Sequence, residues 1–314
     1  MTKLPPLIVR SIQNFQPRDI NYVYNKSISY SQMSTYIQCP LKWKLNYKDG
    51  KYTSQSSLIL TFGTTLHEVV QEYLETYYNK SKVEADAIDL KSNFETRFRE
   101  NYIKEYKKSN SHFSNSEEMA EFYDDGIKIL DYLKKNKDKY FGKRGWWLVG
   151  IELPLQLNPS GGFRTIKFKG YLDIVLYHEA TNKFKIIDLK TSWGTWSDKQ
   201  KKDELKQNQL ILYKKFFSEQ FNVPLEDIEV EFLVLKRKIY ENCDFPQKQF
   251  QQVIPANGKN KLNKASAMLN KFLTECFNLD GTYKEIEHNA TPSKDVCKYC
   301  TFSKDKNICS KSII

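Results

Sequence analysis

The apolar residues in the first part of the chain repeat at the spacing of α-helices. Between Leu66 and Tyr77 they recur every three or four residues, which predicts an amphipathic helix. Thr65 and Glu68 match the pattern of a capping box, so we expect this helix to begin close to Thr65.

Three further helices are predicted in the same part of the chain. One is expected to begin at Ser29 or Ser31 and to be interrupted at Pro40, because proline lacks the backbone N–H that a helix interior needs. The other two are amphipathic stretches covering residues 90–98 and 119–133. Helices therefore dominate the chain as far as Gly145.

After Gly145 the pattern changes to the alternation that is typical of β-strands. Three successive strands are predicted around residues 149–157, 166–176 and 184–186. A helix over Glu204–Gln220 and a strand over Ile228–Leu235 follow. This order predicts a mixed α/β (α+β) fold, in which a central mixed sheet is flanked by helices.

A last amphipathic helix, around residues 262–273, leads into a cysteine-rich tail. We expect one domain over residues 27–314, preceded by an irregular arm over residues 1–26. Within that domain, residues 80–145 are expected to form a helical insertion and residues 290–314 a tail that holds a metal cluster.

The composition narrows the class of protein. The 49 Lys and Arg residues exceed the 38 Asp and Glu residues, which gives a net charge of +11. Such an excess favours a polyanionic partner such as nucleic acid, although a solvated basic surface would give the same balance. The mean hydropathy of −0.64 and the absence of a long apolar run argue against a membrane protein. No secretory signal is recognisable, so a cytoplasmic protein is expected, in the host cytoplasm if the source is viral.

Two aspartates are predicted to face each other across a hairpin. If strands two and three pair around a loop centred on Ala180–Thr181, paired residue numbers sum to 361, which places Asp173 opposite Asp188. Lys190 shares that face of the sheet. Like charges in this arrangement destabilise a sheet, and a divalent cation would remove the conflict. A solvated aspartate pair is the alternative.

His67 is a third candidate ligand. The capping box places it in the first turn of its helix, where the helix dipole disfavours an imidazolium. A neutral imidazole is the form that binds metal. A partly buried histidine with satisfied hydrogen bonds is the alternative interpretation.

The cysteines are clustered rather than scattered. Cys297, Cys300 and Cys309 lie close together near the C-terminus, and Cys39 lies near the N-terminus. In a cytosolic protein, clustered cysteines indicate a metal site more often than disulfides.

Five short motifs occur along the chain: Y-x-x-C-P-x-x-W at Tyr36–Trp43, G-T-x-x-H at Gly63–His67, G-Y-L-D at Gly170–Asp173, I-I-D-L-K-T at Ile186–Thr191 and Q-x-x-x-Y at Gln209–Tyr213. In type and order they resemble the motifs of the PD-(D/E)XK nuclease superfamily, and specifically of its RecB-like exonuclease branch. The resemblance extends from about Ile28 to Cys309 and implies a restriction-endonuclease-like core.

The resemblance implies divalent-metal-dependent hydrolysis of DNA phosphodiesters. Mg²⁺ or Mn²⁺ would be held by His67, Asp173, Asp188 and the carbonyl of Leu189. Glu152 is a further candidate ligand, and a solvated strand residue is the alternative interpretation of Glu152. Lys190 would orient the attacking water or offset charge on the phosphate. Gln209 and Tyr213 would contact DNA or support the metal ligands; a polar pair at the edge of the core is the alternative.

The resemblance also gives the cysteines a role. Iron–sulfur members of this branch, such as the AddB-type subunits and the CRISPR-associated exonucleases, use one upstream and three C-terminal cysteines. By that reading Cys39, Cys297, Cys300 and Cys309 hold a [4Fe–4S] cluster, with a structural Zn²⁺ as the alternative. Cys276 is expected in the core, and Cys243 is expected to be unligated.

The expected function is a DNA exonuclease acting on single-stranded or end-bearing DNA, in repair, recombination or viral DNA processing. A catalytically silent module that binds DNA or protein is the alternative. The chain lacks the phosphate-binding loop of a helicase motor, so a separate helicase or recombination protein is a candidate partner. The basic runs Lys199–Lys202 and Lys236–Lys238 could follow the phosphates of the DNA; solvated lysine faces are the alternative.

Overall fold

The computed structural model describes residues 4–16, 26–51, 56–160, 162–240 and 243–314. The α-helices are α1 (Leu7–Gln13), α2 (Tyr30–Gln38), α3 (Pro40–Trp43), α4 (Leu58–Asn79), α5 (Lys82–Ala87), α6 (Leu90–Ser109), α7 (Ser116–Tyr140), α8 (Asp198–Lys201), α9 (Glu204–Phe221), α10 (Lys259–Cys276) and α11 (Lys294–Lys298). The strands are β1 (Lys26–Ile28), β2 (Trp146–Leu157), β3 (Ile166–His178), β4 (Lys183–Ser192), β5 (Ile228–Lys236) and β6 (Phe250–Val253).

The strands form one six-stranded mixed sheet in the order β1-β3-β4-β5-β6, and β2 pairs with β3. β3 and β4 are antiparallel, β4 and β5 are parallel, and β5 and β6 are antiparallel. This mixed sheet, flanked by helices, confirms the predicted fold class and is consistent with a restriction-endonuclease-like fold.

The predicted register of the β3–β4 hairpin is confirmed. Ile174 pairs with Ile187, and the pairing continues to His178 and Lys183, so paired numbers sum to 361 as expected. The same register makes Asp173 and Asp188 the next pair along the ladder.

The chain divides into two compact units. The first unit comprises Met1–Phe15, Ser56–Leu153 and Tyr171–Asn257, and the second comprises Gln16–Gln55, Pro154–Gly170 and Gly258–Ile314. The single domain over 27–314 stays a prediction. The segment 80–145, expected to be a helical insertion, contains α5, α6 and α7.

The core of the first unit lies between α4 and one face of the sheet. The apolar stripe of α4 packs with residues of α6, α7, β3, β4 and β5 in one buried cluster. Its α4 members include Phe62, Leu66, Val69, Val70 and Tyr73. This packing fixes α4 beside the strands that carry the two aspartates.

The core of the second unit is built around Trp43, which is fully buried. Among the described residues, five rings meet its indole edge-on, with centroids 5.2–6.0 Å away: Tyr36, Phe272, Phe277, Tyr283 and His288. Aromatic pairs favour this geometry. The motif around Trp43 is thereby joined to the C-terminal part of the chain.

The prediction that α4 begins near Thr65 was wrong. The helix begins at Leu58, about two turns upstream of Thr65, and its N-cap residue is Ser57. Leu58 and Phe62 continue the apolar stripe backwards, and the Thr65 hydroxyl donates to the Thr61 carbonyl at 2.9 Å instead of capping. Burial of the apolar stripe therefore outweighed the local capping signal.

Other elements went unpredicted because they are short. Helix α1 lies within the arm that we expected to be irregular, and residues 17–25 of that arm lie outside the described residues. Strands β1 and β6 contain three and four residues, too few for an alternating pattern to stand out. Within the described ranges, no helix has both the length and the apolar character needed to cross a membrane.

Candidate active site

Asp173 and Asp188 lie together on neighbouring strands. Asp188 is only 3% exposed, and Oδ2 of Asp173 accepts a hydrogen bond of 2.7 Å from the backbone N–H of Leu189. Burial, followed by the charge of Asp188, raises the pKa of Asp173 well above its ordinary value. The two carboxylates are thus close enough to repel each other in a poorly solvated site.

Lys190 is the cation that faces this pair. Its ammonium contacts Oδ2 of Asp188 as an ion pair. Burial lowers the pKa of Lys190, but the charges of Asp188 and Asp173 raise it by more, so the net shift is upward. The protonated lysine is therefore the form that the site stabilises.

One carboxylate oxygen of the pair remains poorly satisfied. Among the described residues, the buried Oδ2 of Asp188 accepts no hydrogen bond of good geometry, although the Lys190 ammonium touches it. Burial raises the pKa of Asp188, and Lys190 opposes that shift. A buried anionic oxygen without a directed donor is costly unless another cation completes its environment.

His67 lies in the middle of α4, on the side that faces these strands. Its Nδ1 is 3.7 Å from Oδ2 of Asp173. Burial, and then the charge of Lys190, lowers the pKa of His67 from 6.5 to about 4. The imidazole is therefore neutral near pH 7, as we expected, but the expected cause was wrong: His67 is remote from the helix N-terminus.

Glu152 is held near the pair by a residue that the sequence reasoning missed. Gln71 donates from Nε2 to Oε1 of Glu152 at 2.6 Å and to the carbonyl of Asp173 at 3.3 Å. Glu152 itself has a φ of +47°, an uncommon backbone conformation for a residue with a side chain. The position of Gln71, four residues after His67 on the same helix face, was the available signal.

Gln209 and Tyr213 share a face of α9, as predicted. Nε2 of Gln209 donates to Oη of Tyr213 at 3.3 Å. Burial raises the pKa of Tyr213, and the charges of Asp188, Asp173 and Glu152 raise it further. This part of α9 therefore lies within electrostatic range of all three carboxylates.

The side chains at this site are of the chemical types that bind a hard divalent cation. Two carboxylates, one of them with a poorly satisfied oxygen, and a neutral imidazole meet at the site, and oxygen ligands suit Mg²⁺. Across the described ranges, no three His, Cys, Asp or Glu side chains already stand in a metal-coordinating arrangement. The assignment of His67, Asp173, Asp188 and the Leu189 carbonyl as ligands thus stays a prediction.

Comparison with known families identifies the superfamily of the chain. The family model described as the PD-(D/E)XK nuclease superfamily matches residues 27–309. The chain belongs to the PD-(D/E)XK nuclease superfamily. No curated protein gives a significant match to the chain.

Membership implies metal-dependent nuclease activity, because PD-(D/E)XK nucleases use divalent metals such as Mg²⁺. It also implies that DNA is the substrate. Asp173, Asp188 and Lys190 lie within the matched residues, on the β3–β4 hairpin. The match extends to residue 309 and therefore includes the cysteine-rich tail.

The tail of this PD-(D/E)XK protein lies against the end of α2. Thr291 donates to the carbonyl of Gln38 at 2.7 Å, and Lys42 donates to the carbonyl of Tyr299 at 3.4 Å. These contacts bring the neighbours of Cys39 and Cys300 together. The second unit thus joins the two parts of the sequence that carry the candidate cysteines.

Cys309 lies within electrostatic range of the other three candidate cysteines. Burial raises the pKa of the Cys309 thiol, and Cys39, Cys300 and Cys297 raise it further. All of them are free thiols, and among the described residues they do not form a metal-coordinating group. The iron–sulfur cluster stays a prediction. Cys276 is buried in the core as expected, and Cys243 is an exposed free thiol.

Proposed function

We propose that the protein is a divalent-metal-dependent DNA exonuclease of the RecB-like branch, acting on single-stranded or end-bearing DNA. The observation that carries the proposal is the pair of Asp188, which is buried, and Asp173, which is largely buried, with Lys190 in contact with Asp188. A hairpin whose only role was structural would not place two poorly solvated carboxylates opposite each other, because they repel.

Asp173 and Asp188 would hold Mg²⁺ or Mn²⁺ together with His67 and the Leu189 carbonyl, and Glu152 is a further candidate ligand. The bound ion would supply a water of lowered pKa and polarise the phosphate. Lys190, kept protonated by the two aspartates, would donate hydrogen bonds to the attacking water or to a phosphate oxygen. Gln209 and Tyr213 would orient the DNA strand or support the ligands from α9.

The four clustered cysteines, Cys39, Cys297, Cys300 and Cys309, are proposed to bind a [4Fe–4S] cluster that joins the two ends of the second unit. The upward effect of Cys39, Cys300 and Cys297 on the pKa of the Cys309 thiol supports this, because it indicates that the four thiols lie near one another. Anaerobic purification tests it: a brown protein absorbing in the visible blue is expected, with the colour lost in Cys300→Ser. A colourless protein containing stoichiometric zinc would instead assign a Zn²⁺ site.

The exonuclease proposal is tested with linear and circular single-stranded DNA of the same sequence, in Mg²⁺ or Mn²⁺. We expect the linear form to be degraded to short products, the circular form to persist, and Asp188→Ala to leave both intact. Cleavage of the circle would replace the exonuclease by an endonuclease. Equal activity of the wild type and Asp188→Ala would remove Asp188 from the mechanism. A separate helicase or recombination protein is a proposed partner in repair, recombination or viral DNA processing.

A further inference from the structure

A pocket of about 300 Å³ lies at the carboxyl ends of β4 and β5, in the first unit. Ser192, Trp193, Thr195, Lys236 and Tyr240 are among the residues that line it. It combines large exposed aromatic rings with a buried lysine, and none of the candidate catalytic residues lines it.

The pocket continues the face of the sheet that carries the candidate active site. In the parallel β4–β5 pair, Ser192 lies opposite Lys236 and Lys190 lies opposite Val234. Side chains two residues apart share a face of a strand, so Asp188, Lys190 and Ser192 face the same way. Ser192 is displaced from Lys190 by roughly 6.6 Å along the strand. A ligand in the pocket would thus be adjacent to a phosphate bound at the aspartate pair.

Lys236 is a buried lysine whose ammonium is bound by a neutral hydroxyl. The residue is 5% exposed, and its ammonium donates to the Thr195 hydroxyl at 3.1 Å. Within the part of the chain that the structure describes, no carboxylate forms an ion pair with Lys236, and burial followed by the charge of Lys248 lowers its pKa. Burying an unpaired ammonium is costly, and an anionic ligand such as a phosphate would offset that cost.

Trp193 is a large apolar side chain left 66% exposed at the rim of the pocket. The guanidinium of Arg237 lies 5.5 Å from the centre of its ring, and the ammonium of Lys238 lies 5.7 Å away. Arg237 is itself fixed by Asp125 at 2.8 Å and by the Phe122 ring at 3.3 Å. The indole is therefore supported by an anchored cation while much of its surface stays open to a ligand.

We propose that this pocket is a nucleotide subsite for single-stranded DNA, in which a base stacks on Trp193 and a phosphate of the same strand pairs with Lys236. The subsite rests on the proposed function, since the strand it holds is the one to be cut at the aspartate pair. A fully paired duplex does not offer the open base face that stacking needs. The pocket thereby gives the site its preference for unpaired DNA, because every base has a face that can stack on an aromatic ring.

The stacking half of the proposal is tested by binding in EDTA, where no cleavage occurs. Fluorescence anisotropy measures the affinity of the full-length protein for a labelled oligothymidylate and for an abasic oligonucleotide of the same length. Trp193→Ala should weaken binding of the oligothymidylate about tenfold, and Trp193→Phe should weaken it less. Both variants should bind the abasic strand as the wild type does. Equal oligothymidylate affinity for all three proteins would overturn the stacking assignment.

The phosphate half is tested with Lys236→Met, and Lys214→Met is the matched control. Lys214 is also buried, at 6% exposed, but its ammonium is bound to Asn257 Oδ1 at 2.7 Å and it does not line the pocket. Lys236→Met should weaken the binding of both the oligothymidylate and the abasic oligonucleotide. It should also reduce the slope of log affinity against log salt concentration by about 0.7. It should not lower the melting temperature, because removal of an unpaired buried charge relieves the folded state. Unchanged affinity, or an equal loss in Lys214→Met, would overturn the assignment.

Binding of oligonucleotides with and without a terminal phosphate shows which phosphate of the strand pairs with Lys236. A loss in Lys236→Met only for the phosphorylated strand assigns a terminal phosphate, and a loss for both assigns an internal phosphodiester. The subsite and the proposed function fail separately. If the binding pattern holds and no DNA is cut, the subsite stands without the exonuclease. If DNA is cut and every variant binds as the wild type does, the exonuclease stands without the subsite.

Discussion

The backbone N–H of Leu189 donates a 2.7 Å hydrogen bond to Oδ2 of Asp173. This bond ties the carboxylate on β3 to the main chain of β4 directly after Asp188. A hydrogen bond to the charged form lowers the pKa of a carboxyl group, and here it opposes the upward shift caused by burial and by Asp188. Asp173 is therefore oriented by the backbone, and the aspartate pair forms part of the hairpin itself.

Loss of the Lys190 ammonium should reduce cleavage more than binding. Lys190→Met removes the cation that contacts Asp188, and we expect the single-turnover rate with Mg²⁺ to fall by about 10²–10³. Lys185→Met is the control on the same strand, since Lys185 pairs with Glu231 at 3.5 Å. A rate equal to that of the wild type would contradict a catalytic role for Lys190.

Gln71 should act by positioning Glu152 and the backbone of Asp173. Gln71→Leu removes both hydrogen bonds, and we expect it to cost about 1 kcal/mol of unfolding free energy and to lower the cleavage rate. Gln13→Leu is the control, because Gln13 donates to the Leu148 carbonyl at 2.9 Å. Denaturant unfolding and single-turnover cleavage measure the two effects. If both variants lose stability and keep full activity, Gln71 has only a structural role.

Gly63 allows α4 to approach β4 closely. A Cβ at this position would lie 3.1 Å from Oγ1 of Thr191. Gly63→Ala gains about 1 kcal/mol of helix propensity but crowds Thr191, so we expect little net gain in stability and a slower enzyme. In Thr191→Ala, which has no Oγ1, the same substitution should stabilise by about 1 kcal/mol.

The double-mutant cycle of Gly63→Ala and Thr191→Ala, measured by denaturant unfolding, gives the coupling between the two positions. Additive effects on the unfolding free energy would show that the Thr191 side chain moves away from the new Cβ without destabilising the protein. In that case the approach of α4 would not depend on glycine.

The depressed pKa of His67 makes stability depend on pH. Because the folded state holds the pKa at about 4 against 6.5 for the free side chain, the unfolded chain binds more protons between these values. Stability from the neutral imidazole is therefore complete above about pH 6.5 and is lost as the pH falls towards 4. Lys190 and Asp173 are the charged groups that face it.

In EDTA, the wild type should lose up to roughly 2 kcal/mol more unfolding free energy than His67→Asn between about pH 7 and about pH 5. This figure is an upper bound, because the His67 side chain is 25% exposed and solvent reduces the effect of burial. Asp173 and Asp188, whose raised pKa values act in the opposite direction, are present in both proteins. Parallel pH curves for the two proteins would contradict the burial of a neutral His67.

The sequence predicted what its periodicity controls. The register of β3 and β4 followed from loop symmetry and placed Asp173 opposite Asp188. A slip by one residue would have put the two carboxylates on opposite faces of the sheet. The start of α4 did not follow, because Thr65 and Glu68 form a local capping signal that the buried stripe from Leu58 overrides.

Residues that act through tertiary contacts were the hardest to predict. Gln71 appears in the sequence as a polar residue in an apolar helix, and its two acceptors come from β2 and β3. Trp193 and Lys236 lie 43 positions apart in the sequence and meet only because β4 and β5 are parallel neighbours. The periodicity of apolar residues does not predict such contacts between distant parts of the chain.

Binding of Mn²⁺ by the metal-free protein is the most direct test of the central claim that Asp173 and Asp188 share a catalytic cation. Isothermal titration calorimetry on the wild type, Asp173→Asn and Asp188→Asn measures it, with Asp198→Asn as an exposed control on α8. We predict that each of the first two substitutions abolishes the site and DNA cleavage together, and that Asp198→Asn changes neither. Undiminished Mn²⁺ affinity in both Asp173→Asn and Asp188→Asn would contradict the account.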